Sequence, residues 1–215
     1  MKLRVGIFGG SGYGGAELLR ILLFHPHAEV ELVTANEHAG KAVGEVHRNL
    51  NGLTGLSFAK APEDFESLRG LDCVFLALPH GQALEVAPRL PPDVKVVDLS
   101  GDFRLDSAEE FAAHYGREHT ARELQREFVY GLTEVNREKI TRARLVSNPG
   151  CFATATLLGL APLVAANEVV CPITHRAQRL LDFGDVLVRE GFVSVEGVRP
   201  LRVVRVRGGL RAGTR

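Results

Sequence analysis

Cysteine is scarce in this 215-residue chain, with three residues in all, at positions 73, 151 and 171. That number and spacing exclude a disulfide framework and match no metal-ligand pattern, so no metal is expected. Net charge is also missing, because 26 Lys and Arg are balanced by 26 Asp and Glu. Nothing therefore draws nucleic acid or an acidic membrane to the chain electrostatically. No apolar run reaches the ~18 residues that span a bilayer. The opening Met1-Lys2-Leu3-Arg4 passes straight into a strand-like run without the apolar stretch of a secretory signal. Internal repeats are absent before residue 170. The expectation is a reduced, cytoplasmic globular protein in which a free thiol can persist as a nucleophile.

The rest of the chain, with 45% apolar and 24% charged residues, has an ordinary globular balance. Leu3–Phe8 reads as a strand that ends in Gly9-Gly10-Ser11-Gly12-Tyr13-Gly14-Gly15. Ala16–Phe24 follows as a helix with Leu18, Leu19, Leu22 and Leu23 on one face, closed by Pro26. Val30–Ala35 is a second strand, and Glu37 to Gly55 reads as a loop with little regular structure. Asp72–Leu78 and Val94–Leu99 are continuous apolar runs, as parallel strands covered on both faces require. Gln82–Leu90 between them is expected to be helical. Residues 106–126 are polar and helical, Val129–Leu132 and Leu145–Ser147 are short strands, and Phe152–Ala166 is a buried helix. Strands alternating with helices predict an α/β fold, a Rossmann-type doubly wound parallel sheet.

Gly10, Gly12 and Gly15 satisfy G-x-G-x-x-G, and Gly9, Gly12 and Gly15 satisfy G-x-x-G-x-x-G. Such a loop lets backbone N–H groups approach a pyrophosphate at a helix N-terminus, where the partial positive charge of the helix faces the phosphates. Its place between a strand and an amphipathic helix makes it a dinucleotide loop rather than a chance run of glycine. The cofactor-binding residues are thus expected to be Gly9, Gly10, Ser11, Gly12, Tyr13 and Gly15. Glu37 near the end of the second strand favours a free ribose hydroxyl and NAD, whereas Asn36, His38 and Lys41 beside it suit a 2′-phosphate and NADP.

Among the cysteines, Cys73 lies inside an apolar strand and reads as a small packing residue. Cys171 carries no assigned role. Cys151 follows Asn148-Pro149-Gly150 and immediately precedes a helix, a position that lowers a thiol pKa and offers N–H groups to an oxyanion. It is the candidate nucleophile for covalent catalysis.

Five ordered segments carry a family resemblance: Gly9–Gly15, Ala77-Leu78-Pro79-His80-Gly81, Asp98-Leu99-Ser100-Gly101-Asp102-Phe103-Arg104-Leu105, Val129–Glu134 and Ser147-Asn148-Pro149-Gly150-Cys151. Together they resemble the N-acetyl-γ-glutamyl-phosphate reductases of arginine biosynthesis, relatives of aspartate-semialdehyde dehydrogenase, over residues 3 to about 168. The resemblance implies NADP as cofactor, an acyl-phosphate substrate and homo-oligomeric assembly. It also implies a reaction in which the Cys151 thiolate displaces phosphate, hydride reduces the thioester, and the thiohemiacetal collapses to an aldehyde. Arg104 is a candidate substrate or phosphate contact through its guanidinium fork, with loop anchoring as the competing role. Asn148 is placed with it on the substrate side, and His80 is expected to line the cofactor cleft at the carboxyl edge of the sheet.

The implied organisation is a dinucleotide-binding domain over residues 1–147, the opening of an α+β catalytic domain over 148–173, and a tail over 174–215. The tail has nine arginines and no lysine, and its apolar spacing fits no sustained helix or strand. The Ser/Gly-rich loop and Gly-His-Arg-His segment that the resemblance leads one to expect are missing after about Val170, and His175 stands in a different context, Thr-His-Arg. The expectation is a truncated or frame-shifted chain, or one that has lost its catalytic domain. Two other functions compete: a sibling reductase acting on aspartyl or carrier-bound aminoadipyl phosphate, and a non-catalytic NADP-binding module.

Overall fold

The computed structural model describes residues 1–165 together with Val169–Val170 and Arg205–Val206. Six short strands form one parallel sheet: β1 (Leu3–Phe8), β2 (Ala28–Thr34), β3 (Cys73–Leu76), β4 (Lys95–Asp98), β5 (Val129–Tyr130) and β6 (Leu145–Ser147). Their order is β2-β1-β3-β4-β6-β5. From β1 the chain moves outward to β2 and then returns to the other side of β1 as β3. A topological switch point therefore lies between β1 and β3, and in such sheets ligands bind at the carboxyl ends of the strands there. The helices are α1 (Tyr13–Leu22), α2 (Val43–Val46), α3 (Ala83–Val86), α4 (Ala108–Tyr115), α5 (Arg122–Gln125), α6 (Thr133–Arg142) and α7 (Cys151–Ala165). The expected doubly wound α/β sheet is the fold observed.

Side chains alternate across the sheet, so each strand feeds two cores. Val5 and Ile7 of β1 pack with Leu19, Val30, Val33, Val43, Leu50 and Phe58. Phe8 of β1, Val74 and Leu76 of β3 and Val96 of β4 pack with Phe65, Leu84, Phe103 and Phe111. Gly6 admits this second core because a Cβ there would stand 2.8 Å from Leu71 Cδ1.

Three stretches carry detail beyond the expectations. Residues 37–55 contain α2 and a 3₁₀ turn at Arg48–Leu50, and they send Val43 and Leu50 into the core. Residues 106–126 are helical as expected, in two segments, α4 and α5. Ser107 caps the first by accepting the Glu110 N–H, and Gly116, at φ +68°, ends it in the left-handed conformation. Between β5 and β6 lies α6, which the sequence reading did not anticipate. Its buried side chain is Asn136, which donates to the Tyr130 carbonyl at 3.0 Å. Of the expectations for the tail, Cys171, His175 and all of 174–215 except the Arg205–Val206 strand lie outside the described residues.

Candidate active site

The glycine loop joins β1 to α1 at the switch point. Gly9 and Gly10 donate their amides to the Thr34 carbonyl at 3.1 and 2.8 Å, which turns the chain away from β2. Gly9 has φ +82°, and a Cβ on it would meet the Ala77 carbonyl at 2.3 Å. A Cβ on Gly10 would strike Val33 at 2.2 Å, and one on Gly15 would strike the Gly10 backbone at 2.5 Å. These three glycines are required by packing within the protein itself. Gly12 differs. It caps α1 at an ordinary φ of −78°, and a Cβ there would have nothing nearer than 3.8 Å. The space above Gly12 is open among the described residues, at a helix terminus whose first-turn N–H groups have no intrahelical acceptor. Ser11 borders this space, and Tyr13 beside it is 97% exposed.

At the end of β2, Asn36, Glu37 and Lys41 are exposed. The Nδ1 atom of His38 is buried without a hydrogen-bond partner among the described residues. His47, which the sequence reading passed over, hydrogen-bonds through Nε2 to the Gly10 carbonyl at 2.8 Å and packs edge-on to Phe58. It ties the segment after β2 to the glycine loop.

The loops after β3 and β4 are stitched together by His80, the expected cleft residue, and by Asp102, Arg117 and His119, to which the sequence reading gave no role. Asp102, fully buried, accepts the Gly81 amide with both oxygens at 2.8 and 2.7 Å and pairs with Arg117 Nη2 at 2.9 Å. The His80 ring accepts the Gly101 amide at Nδ1, 2.8 Å away, and leans against Tyr115. Buried His119 accepts the Ala121 amide at Nδ1, so its Nε2 donates to the Asp102 carbonyl. Burial lowers its pKa and keeps it neutral. The only local sign of this network is that Gly101 and Asp102 follow a buried strand, where a charged residue must find a partner.

On the far side of the same edge, Arg104 donates to the Asn148 carbonyl at 2.8 Å and to the Leu99 carbonyl at 2.9 Å. The Asn148 amide in turn donates to the Asp98 carbonyl at 2.7 Å. Arg104 thus anchors the turn that presents Cys151, whatever else its guanidinium contacts. Cys151 is the first residue of α7, free and exposed, while the Thr154 amide and hydroxyl both bond the Gly150 carbonyl and close the first turn. Cys73 is a poor rival, since burial pushes its thiol up to about 11. Gly14 would bring a Cβ within 3.7 Å of Leu99 and 3.9 Å of Ala77, so the glycine loop adjoins both neighbouring loops. Loops from four strands therefore meet along one edge: Gly9–Gly12, Ala77–Gly81, Leu99–Arg104 and Asn148–Cys151. Among the described residues no group of three metal-ligating side chains occurs.

Beneath this edge, Asp98 is fully buried and accepts the Ser100 amide at 3.0 Å and hydroxyl at 2.8 Å. Burial, opposed by those two bonds, pushes its carboxyl up to about 6; Asp102 adds to the rise and Arg104 opposes it. The value lies above the ~3.9 of an unfolded Asp, so the folded chain binds the proton more tightly. Its contribution is full below about pH 4 and is lost as pH rises through about 6. Asp98→Asn can keep both contacts to Ser100 and should remove this slope. Denaturant titrations at about pH 4.5 and pH 7 are expected to show a relative gain for the variant at the higher pH, of the order of 2 kcal/mol. The opposing slope from His119 is common to both proteins and cancels. Parallel pH profiles would disprove the assignment.

A glycine-rich strand–helix turn at the switch point of a doubly wound parallel sheet defines a Rossmann-type dinucleotide-binding domain. The chain belongs to the family described as semialdehyde dehydrogenase, NAD binding domain, whose profile it matches over residues 4–143. It is 46% identical over 169 residues to the N-acetyl-γ-glutamyl-phosphate reductase of Acinetobacter baumannii (strain AYE), and 51% identical over 166 residues to that of Pseudomonas fluorescens (strain Pf0-1). These matches take in 78% and 76% of the chain, which spans about half the length of each relative, 48% in both cases. Among solved structures it is similar to aspartate semialdehyde dehydrogenase II of Vibrio cholerae, with TM-score 0.55 and 18% identity over 77% of this chain and 43% of that one. The NADP complex of the Candida albicans aspartate semialdehyde dehydrogenase gives TM-score 0.53 and 16% identity, over 76% of this chain and 47% of the other. At such identities the likeness is one of fold.

Proposed function

We propose that this chain carries the dinucleotide site and the nucleophile of a reductase that converts N-acetyl-γ-glutamyl phosphate to the semialdehyde, using NADPH and releasing phosphate, in arginine biosynthesis. The observation that carries the reading is the position of Cys151, exposed at the start of α7 and tied through Asn148 and Arg104 to the loops beside Gly12. The open space at Gly12 fits a pyrophosphate, with Gly9, Gly10, Ser11, Gly12, Tyr13 and Gly15 forming the cradle and Asn36 and His38 on the ribose side. The bound nicotinamide would supply hydride. The nucleophilic step falls to this chain. The Cys151 thiolate attacks the acyl carbon, its bond to sulfur forms as the bond to phosphate breaks, and phosphate leaves with both electrons. First-turn amides of α7 stabilise the oxyanion. After reduction the carbon–sulfur bond breaks, releasing aldehyde and regenerating thiolate.

Residues 1–147 would form the dinucleotide-binding domain and 148–173 the opening of a catalytic one. The apolar composition of α7, with Phe152 57% exposed, supports packing of that helix against further protein. Joined to the remaining half of the Pseudomonas fluorescens relative, the chain should oxidise N-acetylglutamate semialdehyde in the presence of NADP and phosphate at least tenfold faster than aspartate semialdehyde. A reversed preference would assign it to the sibling activity, and preference for NAD would overturn the cofactor.

A further inference from the structure

His80 is held at three points. Its Nδ1 accepts the Gly101 amide at 2.8 Å, its carbonyl lies 3.4 Å from Arg117 Nη1, and the amide of the next residue, Gly81, is gripped by both oxygens of Asp102. Gly81 stands at φ +97°, and a Cβ there would overlap Arg117. The turn is therefore shaped around this ion pair and admits no other residue without strain. An N–H that donates to Nδ1 requires a lone pair on that atom, so the neutral ring carries its proton on Nε2. Nε2 has no hydrogen-bond partner among the described residues, and the residue is exposed. The result is a single N–H donor of fixed direction, on an uncharged ring, at the carboxyl edge between β3 and β4. It lies three residues from Ala77, which abuts Gly9 and Gly14.

We propose that Asp102 and Arg117 are positioning residues that hold His80 as an Nε2–H donor to an uncharged oxygen of the nicotinamide half of the dinucleotide, a ribose hydroxyl or the carboxamide. This deepens the function proposed above and rests on it. A buried carboxylate, with an arginine beside it, committed to one loop amide is out of proportion to a merely solvated turn, since its removal from water is costly unless it is fully satisfied. The partner is an uncharged oxygen because a neutral imidazole supplies one N–H dipole, whereas the pyrophosphate already has the amides at the start of α1.

The test separates the ring's two nitrogens. Asparagine at this position can accept the Gly101 amide but offers no donor at the far edge of the ring, whereas glutamine can place a donor near Nε2. Binding is followed calorimetrically on the chain as it stands, with NADPH and with adenosine 2′,5′-bisphosphate, which lacks the nicotinamide half. His80→Asn should weaken NADPH about tenfold, as expected for one lost hydrogen bond, and leave the bisphosphate unchanged. His80→Gln should recover most of the difference, and Asp102→Asn should reproduce the selective loss. Unchanged NADPH affinity in His80→Asn overturns the proposal. So does an equal loss for both ligands, which would make the residue a structural support. Failure of wild type to bind either ligand would instead overturn the dinucleotide reading, and the two failures are therefore distinguishable.

Discussion

Cys151→Ser is expected to abolish reductase turnover while leaving dinucleotide binding intact. A serine hydroxyl at the head of α7 stays un-ionised at neutral pH, because its pKa lies far above that of any thiol. The acyl phosphate then meets no competent nucleophile, and hydride has no thioester to reduce. In the chain joined to the second half of a relative, the rate should fall by more than about a hundredfold, a loss above ~3 kcal/mol in barrier terms. Retention of more than a hundredth of the rate would make covalent catalysis by this residue untenable. The unjoined chain offers an independent check. Cys151 is exposed, whereas burial pushes the Cys73 thiol up to about 11, so iodoacetamide should label the two at rates at least tenfold apart. Equal rates would show that Cys151 is not the accessible thiol of the pair.

Local signals were strongest where secondary structure and ligand chemistry demand the same residues. The strand over Leu3–Phe8, the glycine turn and the helix after it could be placed from spacing, and so could the cysteine at the start of α7. Helix α6 was illegible because Thr133–Arg142 is dominated by charged and polar residues and has no apolar face. The segment 37–55 misled for the opposite reason: its Gly and Asn residues read as loop, while Val43 and Leu50 within it are core. Gly116 was a usable stop signal for α4, given the left-handed conformation that ends so many helices. The roles of Asp102, Arg117 and His47 could not be seen, because each rests on a contact 15 to 37 residues distant. For Arg104 both sequence readings were open, and the structure supplies the anchoring one through Asn148 and Leu99. Its contact with substrate stays a proposal.

The glycines of the loop should separate cleanly into two classes by experiment. Gly15→Ala places a Cβ 2.5 Å from the Gly10 Cα, a backbone atom that no rotamer change can move aside. Gly9→Ala adds a left-handed φ to a 2.3 Å approach to the Ala77 carbonyl. Each should destabilise the fold by about 3 kcal/mol, which for a domain of this size lowers Tm by roughly 10 °C. Gly12→Ala meets no such obstacle, since its backbone is extended and its nearest neighbour would be 3.8 Å away. Its Tm should fall by no more than about 4 °C, the loss expected from the preference of the cap position for Gly over Ala. NADPH affinity should nevertheless drop at least tenfold, because the added methyl occupies the path of the pyrophosphate to the first-turn amides of α1. Thermal melts with and without NADPH, paired with calorimetric titration, read both quantities on the same samples. Wild-type affinity in Gly12→Ala would show that the phosphates do not lie over this glycine, and a larger loss of stability there would show that the residue serves the fold instead.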